Sequence, residues 1–552
     1  MFKGHPKGLF VLFFSNMGER FGYYTMLAIF TLFLQDHFGW DETQASGLYG
    51  LFLGAIYIFP LLGGIIADAW LGYGKTVTIG IVIMGLGYAL LSLTGANPTS
   101  MYVALGIIAL GVGLFKGNLV VIVGNLYENS SVSHLRDAAF NIFYMGINVG
   151  AMFAPHVARY LKNLMMTRSG FTYDSAIPKI ANDLIAGNTI TPEHMGKLQQ
   201  MAGTTDPAGL TQFAGNYLNA LSHGYNWGFA AAGVSMLVSI IIFLAFRKHY
   251  KEADYMHKDK IKTGSAVELT PKQVRDRIIA LLLVFVIVIF FWMAFHQNGS
   301  TFTFFAKNYT NLTAGKYTFL IFSIPNLLAI FSIIIGFVAI LNKETKKNYK
   351  FLGAAFALAG AAVLYYNLQR LGNTNKIDPE LFQSFNPMFV VFMTPVIVGF
   401  FAWLHSKNTE PSAPSKIGIG MTITAIGYCI MLYASVGLPS VGVLSGNAID
   451  PSIAVSPYWL ISTYFTLTIA ELFLSPMGLS FVSKVAPPKL RGTMQAGWLG
   501  ATAIGNILAG YIGRFYKNWE LWQFFLFVVI IALLSAVIMF SIMHIIKRAS
   551  VS

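Results

Sequence analysis

The sequence predicts an all-α polytopic membrane protein, on three observations. Of its 552 residues, 55% are hydrophobic, 15% aromatic and only 11% charged, against roughly 25% charged in soluble domains. Apolar stretches long enough for the roughly 20 residues of a spanning helix recur 14 times, too evenly for separate soluble cores. Lys and Arg collect in alternate short loops, where the positive-inside rule places cytoplasmic ones. The net charge of +14 is therefore orientation rather than a nucleic-acid surface. A single cysteine, Cys429 inside an apolar span, excludes a disulfide framework and a thiolate metal cluster.

Each span has its own signal. The first, 8–34, carries Glu19 and Arg20 at mid-length and has no small-residue cleavage site after a short apolar core, so it is expected to stay as a membrane helix. Spans at 44–67, 76–95, 101–126 and 138–160 follow. A long polar stretch, 161–225, precedes the sixth span at 226–246, and a basic stretch, 247–277, precedes the seventh at 279–305. Two spans without central charges, 317–341 and 350–369, form a hairpin expected at the periphery. Spans at 385–405, 416–436, 456–482, 493–516 and 520–545 complete the set.

Loop charges set the orientation. Lys3 and Lys7 mark the N-terminus, and 247–277 holds nine basic against five acidic residues. Lys343, Lys346, Lys347 and Lys350, then Lys484, Lys489 and Arg491, then Lys547 and Arg548 fall on the same side. The opposite turn, with Asp36, Asp41 and Glu42, is acidic. Both termini are expected in the cytoplasm. The organisation that follows is a six-helix bundle over 1–246 with an outer loop at 161–225, a cytoplasmic linker at 247–277, and a second six-helix bundle over 278–548 with the hairpin 317–369 inserted.

Charges inside a membrane are costly and mark function by default. Glu19 and Arg20 lie mid-depth in the first span, Lys116 in the fourth and Glu471 in the twelfth. Static buried ion pairs or snorkelling would also account for them. Facing one cavity, these groups match a zwitterion, with its carboxylate on Arg20 or Lys116 and its amino group on Glu471.

Around these residues the sequence resembles the proton-dependent oligopeptide transporters of the major facilitator superfamily. Asn16-Met17-Gly18-Glu19-Arg20-Phe21-Gly22-Tyr23-Tyr24 is similar to the family's ExxERFxYY signature. Gly63-Gly64-Ile65-Ile66-Ala67-Asp68 with Gly72 and Lys75 resembles the superfamily's cytoplasmic motif, and Phe143-Tyr144-Met145-Gly146-Ile147-Asn148-Val149-Gly150 the fifth-helix signature. Phe291-Trp292 with Gln297 to Ser300, Phe385-Asn386-Pro387, and Glu471-Leu472-Phe473-Leu474-Ser475-Pro476 with Trp498 follow in family order.

The resemblance implies a major facilitator fold, two six-helix bundles plus the extra hairpin, importing di- and tripeptides by alternating access with protons as coupling ion. It implies no other cofactor and no metal. Arg20 and Lys116 would receive the peptide carboxylate and Glu471 the amino terminus, with Tyr23, Tyr24, Tyr57, Asn148, Asn386, Ser475 and Trp498 lining the cavity. Gly64, Asp68, Gly72 and Lys75 would latch the cytoplasmic face. Glu19, His296 and Glu471 are the proton candidates. A monomer in a bacterial inner membrane is the implied setting.

Three residues depart from the pattern. Asn16 replaces the first glutamate of the signature, Leu27 a common arginine, and His296 its acidic partner. The departures imply a changed gate and leave coupling open. His296, with an ordinary imidazole pKa of about 6.5, is either a proton site or a packed neutral ring. Rival readings keep the fold with nitrate or an amino-acid-like solute as cargo, or make the chain a channel. Enzyme readings lack support: the 11 histidines form no HExxH pair, and Gly74-Lys75-Thr76 has Ala69 where a phosphate loop needs glycine.

Overall fold

Apolar runs with caps at their ends become long helices. The computed structural model describes residues 4–95, 97–128, 131–255, 270–341, 345–444, 447–487 and 490–546. Residues 256–269 of the linker, with Lys3, Lys343, Lys489, Lys547 and Arg548 of the charge count, lie outside the described residues. The first half holds α1 (Lys7–Phe38), α2 (Glu42–Ile66), α3 (Tyr73–Leu91), α4 (Thr99–Asn125), α5 (Arg136–Arg168) and α6 (Pro207–Ala245). The second holds α7 (Pro271–Phe295), α8 (Ile324–Leu341), α9 (Lys347–Arg370), α10 (Phe385–Ser406), α11 (Ala413–Ser435), α12 (Tyr458–Val485), α13 (Arg491–Gly513) and α14 (Leu521–Ser541). Among the described residues 11 helical stretches qualify by length and hydropathy as membrane spans, and α1, α12 and α13 are three further long helices.

The ends are chemically marked. Gly39, left-handed at φ 66°, closes α1. Asp41 caps α2 and Thr270 caps α7, each in a reciprocal box with a glutamine three residues on.

Some boundaries differ from the sequence reading. α6 has 39 residues, about 58 Å at 1.5 Å per residue, so it outruns a hydrocarbon core of about 30 Å. It starts at Pro207 rather than near 226, and α5 runs on to Arg168. The outer stretch is consequently ordered: short helices Ile177–Ala186 and Pro192–Ala202 pack beside α6, with Leu198 and Ile180 buried. The seventh span breaks at His296–Gly299 into a 3-10 turn and resumes as Thr301–Tyr309, because Ser300 (φ −122°, ψ −88°) leaves the helical region. α8 begins at Ile324, since Ser323 is extended ahead of Pro325.

Packing repeats between the halves. In the first, α1 packs on α5 and α6, α3 on α4 and α6, and α2 on α4. In the second, α7 packs on α13 and α14, α11 on α12 and α14, and α10 on α12. This is the same scheme with α7, α10, α11, α12, α13 and α14 in the places of α1 to α6. The halves meet where α2 crosses α13 and α5 crosses α10. At the first crossing a Cβ on Gly50 would stand 2.5 Å from the Gly510 Cα, so the two backbones touch only because both residues lack side chains. The α8–α9 hairpin packs chiefly on itself and turns most of its surface outward. Two short strands outside the helices, β1 (Thr313–Ala314) and β2 (Asn375–Lys376), pair antiparallel with Thr313 opposite Lys376.

Candidate functional site

In the first half, α1 buries Glu19 and Arg20 side by side. The Arg20 guanidinium folds back onto its neighbour, with Nε 2.5 Å from Glu19 Oε2 and Nη2 donating to Oε1 at 2.7 Å, and lies 5.0 Å from the centre of the Tyr23 ring. The residue expected to be open to a carboxylate thus already holds one. Lys116 of α4 is different. Its ammonium sits 3.8 Å over the Tyr57 ring of α2 and forms no ion pair among the described residues. A cation over an aromatic face is worth about 2 kcal/mol when desolvated, yet its charge stays unneutralised. Of these two cations, Arg20 alone is in an ion pair among the described residues.

In the second half, Glu471 lies midway along α12, where Asn386 at the start of α10 donates to its Oε2 at 2.9 Å. The same Asn386 amide reaches Thr468 Oγ1 at 3.0 Å, which fixes its orientation. One turn further along α12, the Ser475 hydroxyl is buried without a partner. Trp498 of α13 is buried and packs edge-on against Phe285 at 6.3 Å. His296, at the break after α7, is 3.2 Å from the Trp292 carbonyl, and its ring tilts over the Trp292 indole at 5.1 Å.

Tyr24 packs edge-on against Tyr23 at 5.1 Å. Among the described residues no ion pair joins Glu471 to Arg20 or Lys116. Asn148 turns back to the Tyr144 carbonyl of its own helix at 3.3 Å. Asn16 is buried with an unpartnered Nδ2, and Leu27 is packed in the core.

The sequence reading passed over a second set of charges. At the end of the bundle that carries the α1–α2 turn, ion pairs cross between the halves. Asp36 of α1 takes Lys307 at 2.7 Å and the Tyr225 hydroxyl at 2.6 Å. Arg159 of α5 meets Asp378 at 2.6 Å, joined by Asn163 at 2.8 Å, and Lys162 meets Glu380 at 2.6 Å with both side chains fully buried. Asp41 pairs with Lys517 at 2.9 Å, and Asp174 with Lys376 at 3.7 Å. The Tyr173 ring of the outer segment lies 3.3 Å from the Lys162 ammonium. Burial pushes the Asp378 carboxyl up, but Lys162, Arg159 and Asn163 outweigh it and hold the group below its ordinary 3.8. No spacing signal marks these partners, because Lys162 and Glu380 lie 218 positions apart.

Among the described residues, the ion pairs at the opposite end of the bundle stay within one half. Arg247 contacts Asp254 at 3.5 Å, and Lys416 contacts Glu410 at 2.5 Å. In the cytoplasmic motif Gly72 takes φ 76°, which only glycine adopts freely, and Gly64 has open space where a side chain would stand. Asp68 accepts from the Tyr73 hydroxyl at 2.7 Å, and Lys75 is exposed. The α3 N-terminus is capped from the linker side instead, where the Gly74 amide donates to Asp254 at 2.7 Å.

Known proteins share this architecture. A family model described as the POT family matches residues 74–270 and 361–523. A protein named peptide transporter YePEPT from Yersinia enterocolitica is 27% identical, covering 94% of this chain and 89% of its own. A dipeptide and tripeptide permease B from Salmonella typhimurium is 25% identical over 92% and 87% respectively. A crystal structure of peptide transporter POT in complex with sulfate superposes with a TM-score of 0.67 at 22% identity, covering 100% of this chain and 96% of that one. A POT family transporter in complex with 5-aminolevulinic acid gives 0.66 at 20%, covering 98% and 97%.

Proposed function

The chain belongs to the POT family of the major facilitator superfamily, and from that premise we propose a secondary importer of di- and tripeptides, in its outer-closed form. The observation that supports the reading is a pair of unlike charges, one in each half, that form no ion pair with each other among the described residues. Lys116, over Tyr57, offers a cation without a counter-ion, and Glu471 offers a carboxylate positioned by Asn386. A short peptide carries a carboxylate and an ammonium at opposite ends, so one molecule offers a partner to each group. Arg20, bidentate with Glu19, supports the anion end at longer range. Tyr23, Tyr24, Tyr57, Asn148, Ser475 and Trp498 are assigned to the peptide body, which suits a carrier that reads termini common to all short peptides.

Alternating access follows from the placement of the gates. The ion pairs that cross the outer side must part to admit substrate, and the cytoplasmic ends must part to release it. Glu19, Glu471 and His296 are assigned to coupling, with the proton as driving ion. The site lies within one chain, so a monomer suffices. Basic cytoplasmic loops support an inner-membrane setting with both termini inside.

A second reading is favoured by one relative. The POT family transporter in complex with 5-aminolevulinic acid binds a compound that is also a zwitterion, and the same charge pair here accommodates such a solute. Equilibrium binding separates the two: alanyl-alanine should bind, and its amidated and N-acetylated forms should each bind at least tenfold more weakly, about 1.4 kcal/mol. Equal binding of all three forms removes the two-ended assignment.

A further inference from the structure

The peptide reading leaves the α8–α9 hairpin without a task. Its two helices pack on each other, and a Cβ on Gly336 would stand 2.3 Å from the Gly353 carbonyl oxygen, so they meet backbone to backbone. Phe331 of α8 stacks on Phe392 of α10 at 4.8 Å and ties the pair to the body. Most of the remaining surface turns outward and is apolar, with Leu341, Phe351, Phe356 and Leu358 exposed. In a membrane that surface lies against acyl chains.

Length fixes where the hairpin ends. The 24 residues of α9 span about 36 Å at 1.5 Å per residue, against a hydrocarbon core of about 30 Å, so its first and last turns reach the two headgroup layers. Tyr349 is exposed at one end and Tyr365 and Tyr366 at the other, where aromatic side chains mark membrane surfaces. At the Tyr349 end Lys346 and Lys347 are exposed and Lys350 is half-buried. Positions three and four apart are neighbours on a helix, so the three ammonium groups gather within one turn and repel one another. None of them is in an ion pair among the described residues. Helix electrostatics do not account for them either, because the amino-terminal end of a helix disfavours cations. Lys343 and Glu344 of the same loop, opposite in charge, lie outside the described residues.

We propose that Lys346, Lys347 and Lys350 bind the headgroups of anionic phospholipids. The acyl chains lie along the apolar flank that begins at Phe351, 79% exposed, and Leu352, while the phosphate meets the lysines at the adjoining turn. A zwitterionic lipid brings its own cation to that phosphate, so net charge selects the anionic one. In the orientation proposed above the site belongs to the cytoplasmic leaflet. A headgroup held there fixes the hairpin tip at the membrane surface and, through Phe331 and Phe392, the flank of α10. The inference rests on the membrane reading of the chain and not on its cargo.

The test is native mass spectrometry of the full-length protein in detergent, titrated with dioleoylphosphatidylglycerol or dioleoylphosphatidylcholine. The wild type is expected to bind the glycerol lipid at least fivefold more tightly than the choline lipid. Lys346→Gln with Lys347→Gln and Lys350→Gln should weaken the glycerol lipid tenfold or more and leave the choline lipid unchanged, whereas arginine at the same three positions should retain it. Lys7→Gln with Lys248→Gln and Lys251→Gln removes as much charge from exposed positions on the same side and should leave binding within twofold. Inorganic phosphate at the concentration of the lipid should not displace it. No preference in the wild type, a preference that survives the hairpin substitutions or is lost with arginine, an equal loss in the second triple variant, or displacement by inorganic phosphate each overturns the proposal. No peptide and no transport enter the titration, so a failure of the peptide reading would be seen separately.

Discussion

Lys162 of α5 and Glu380, in the turn leading into α10, meet at 2.6 Å with no solvent exposure on either side chain. A pair this deep gains from its geometry about what it loses in desolvation, whereas an unpaired member is heavily penalised. Glu380 also keeps one oxygen, Oε2, without a partner. Lys162→Met or Glu380→Gln alone should destabilise the outer-closed protein by about 3–5 kcal/mol, and Lys162→Met with Glu380→Met by clearly less than either. Thermal unfolding in detergent measures it; additive losses would refute the pairing.

Asp378 allows a pH prediction with a definite sign. Its folded pKa is lowered, so its stabilising contribution is complete above the ordinary 3.8 and is lost only as pH falls through the lower folded value. Between about pH 5 and 8 the Asp378 ion pair is therefore constant. Asp378→Asn should reduce thermal stability equally at both ends of that window, and a loss confined to the upper end would contradict this.

His296 then becomes the discriminating residue within the same window. If it takes part in coupling, His296→Asn shifts the pH dependence of uptake; a profile that overlays the wild type leaves the ring as packing against Trp292.

Lys116→Ala should weaken peptides with a free carboxylate at least tenfold, about 1.4 kcal/mol, and amidated peptides far less. Competition against labelled dipeptide reads both. Equal losses would remove the carboxylate assignment and leave Lys116 as a packing partner of Tyr57.

Much of this architecture was legible in the sequence because membrane spans announce themselves locally. A run of about 20 apolar residues needs no partner to be recognised, and Glu19, Arg20, Lys116 and Glu471 stand out against such runs. Pairing is a different matter. Lys162, Asp378 and Glu380 sit near span ends, where charges are common, and only the meeting of the halves joins them. The bidentate Glu19–Arg20 contact was equally hidden, since neighbouring helix positions do not ordinarily face each other. The polar stretch before α6 read as a loop because hydropathy stops at the membrane surface while the helix does not.

The central claim is that Lys116 and Glu471 hold the two ends of a transported peptide. Uptake of labelled dipeptide into proteoliposomes, with and without an imposed inward proton gradient, tests it most directly. Accumulation driven by the gradient in the wild type and abolished in folded Glu471→Gln protein is the expected result; no uptake in the wild type, or undiminished uptake in the variant, would contradict it.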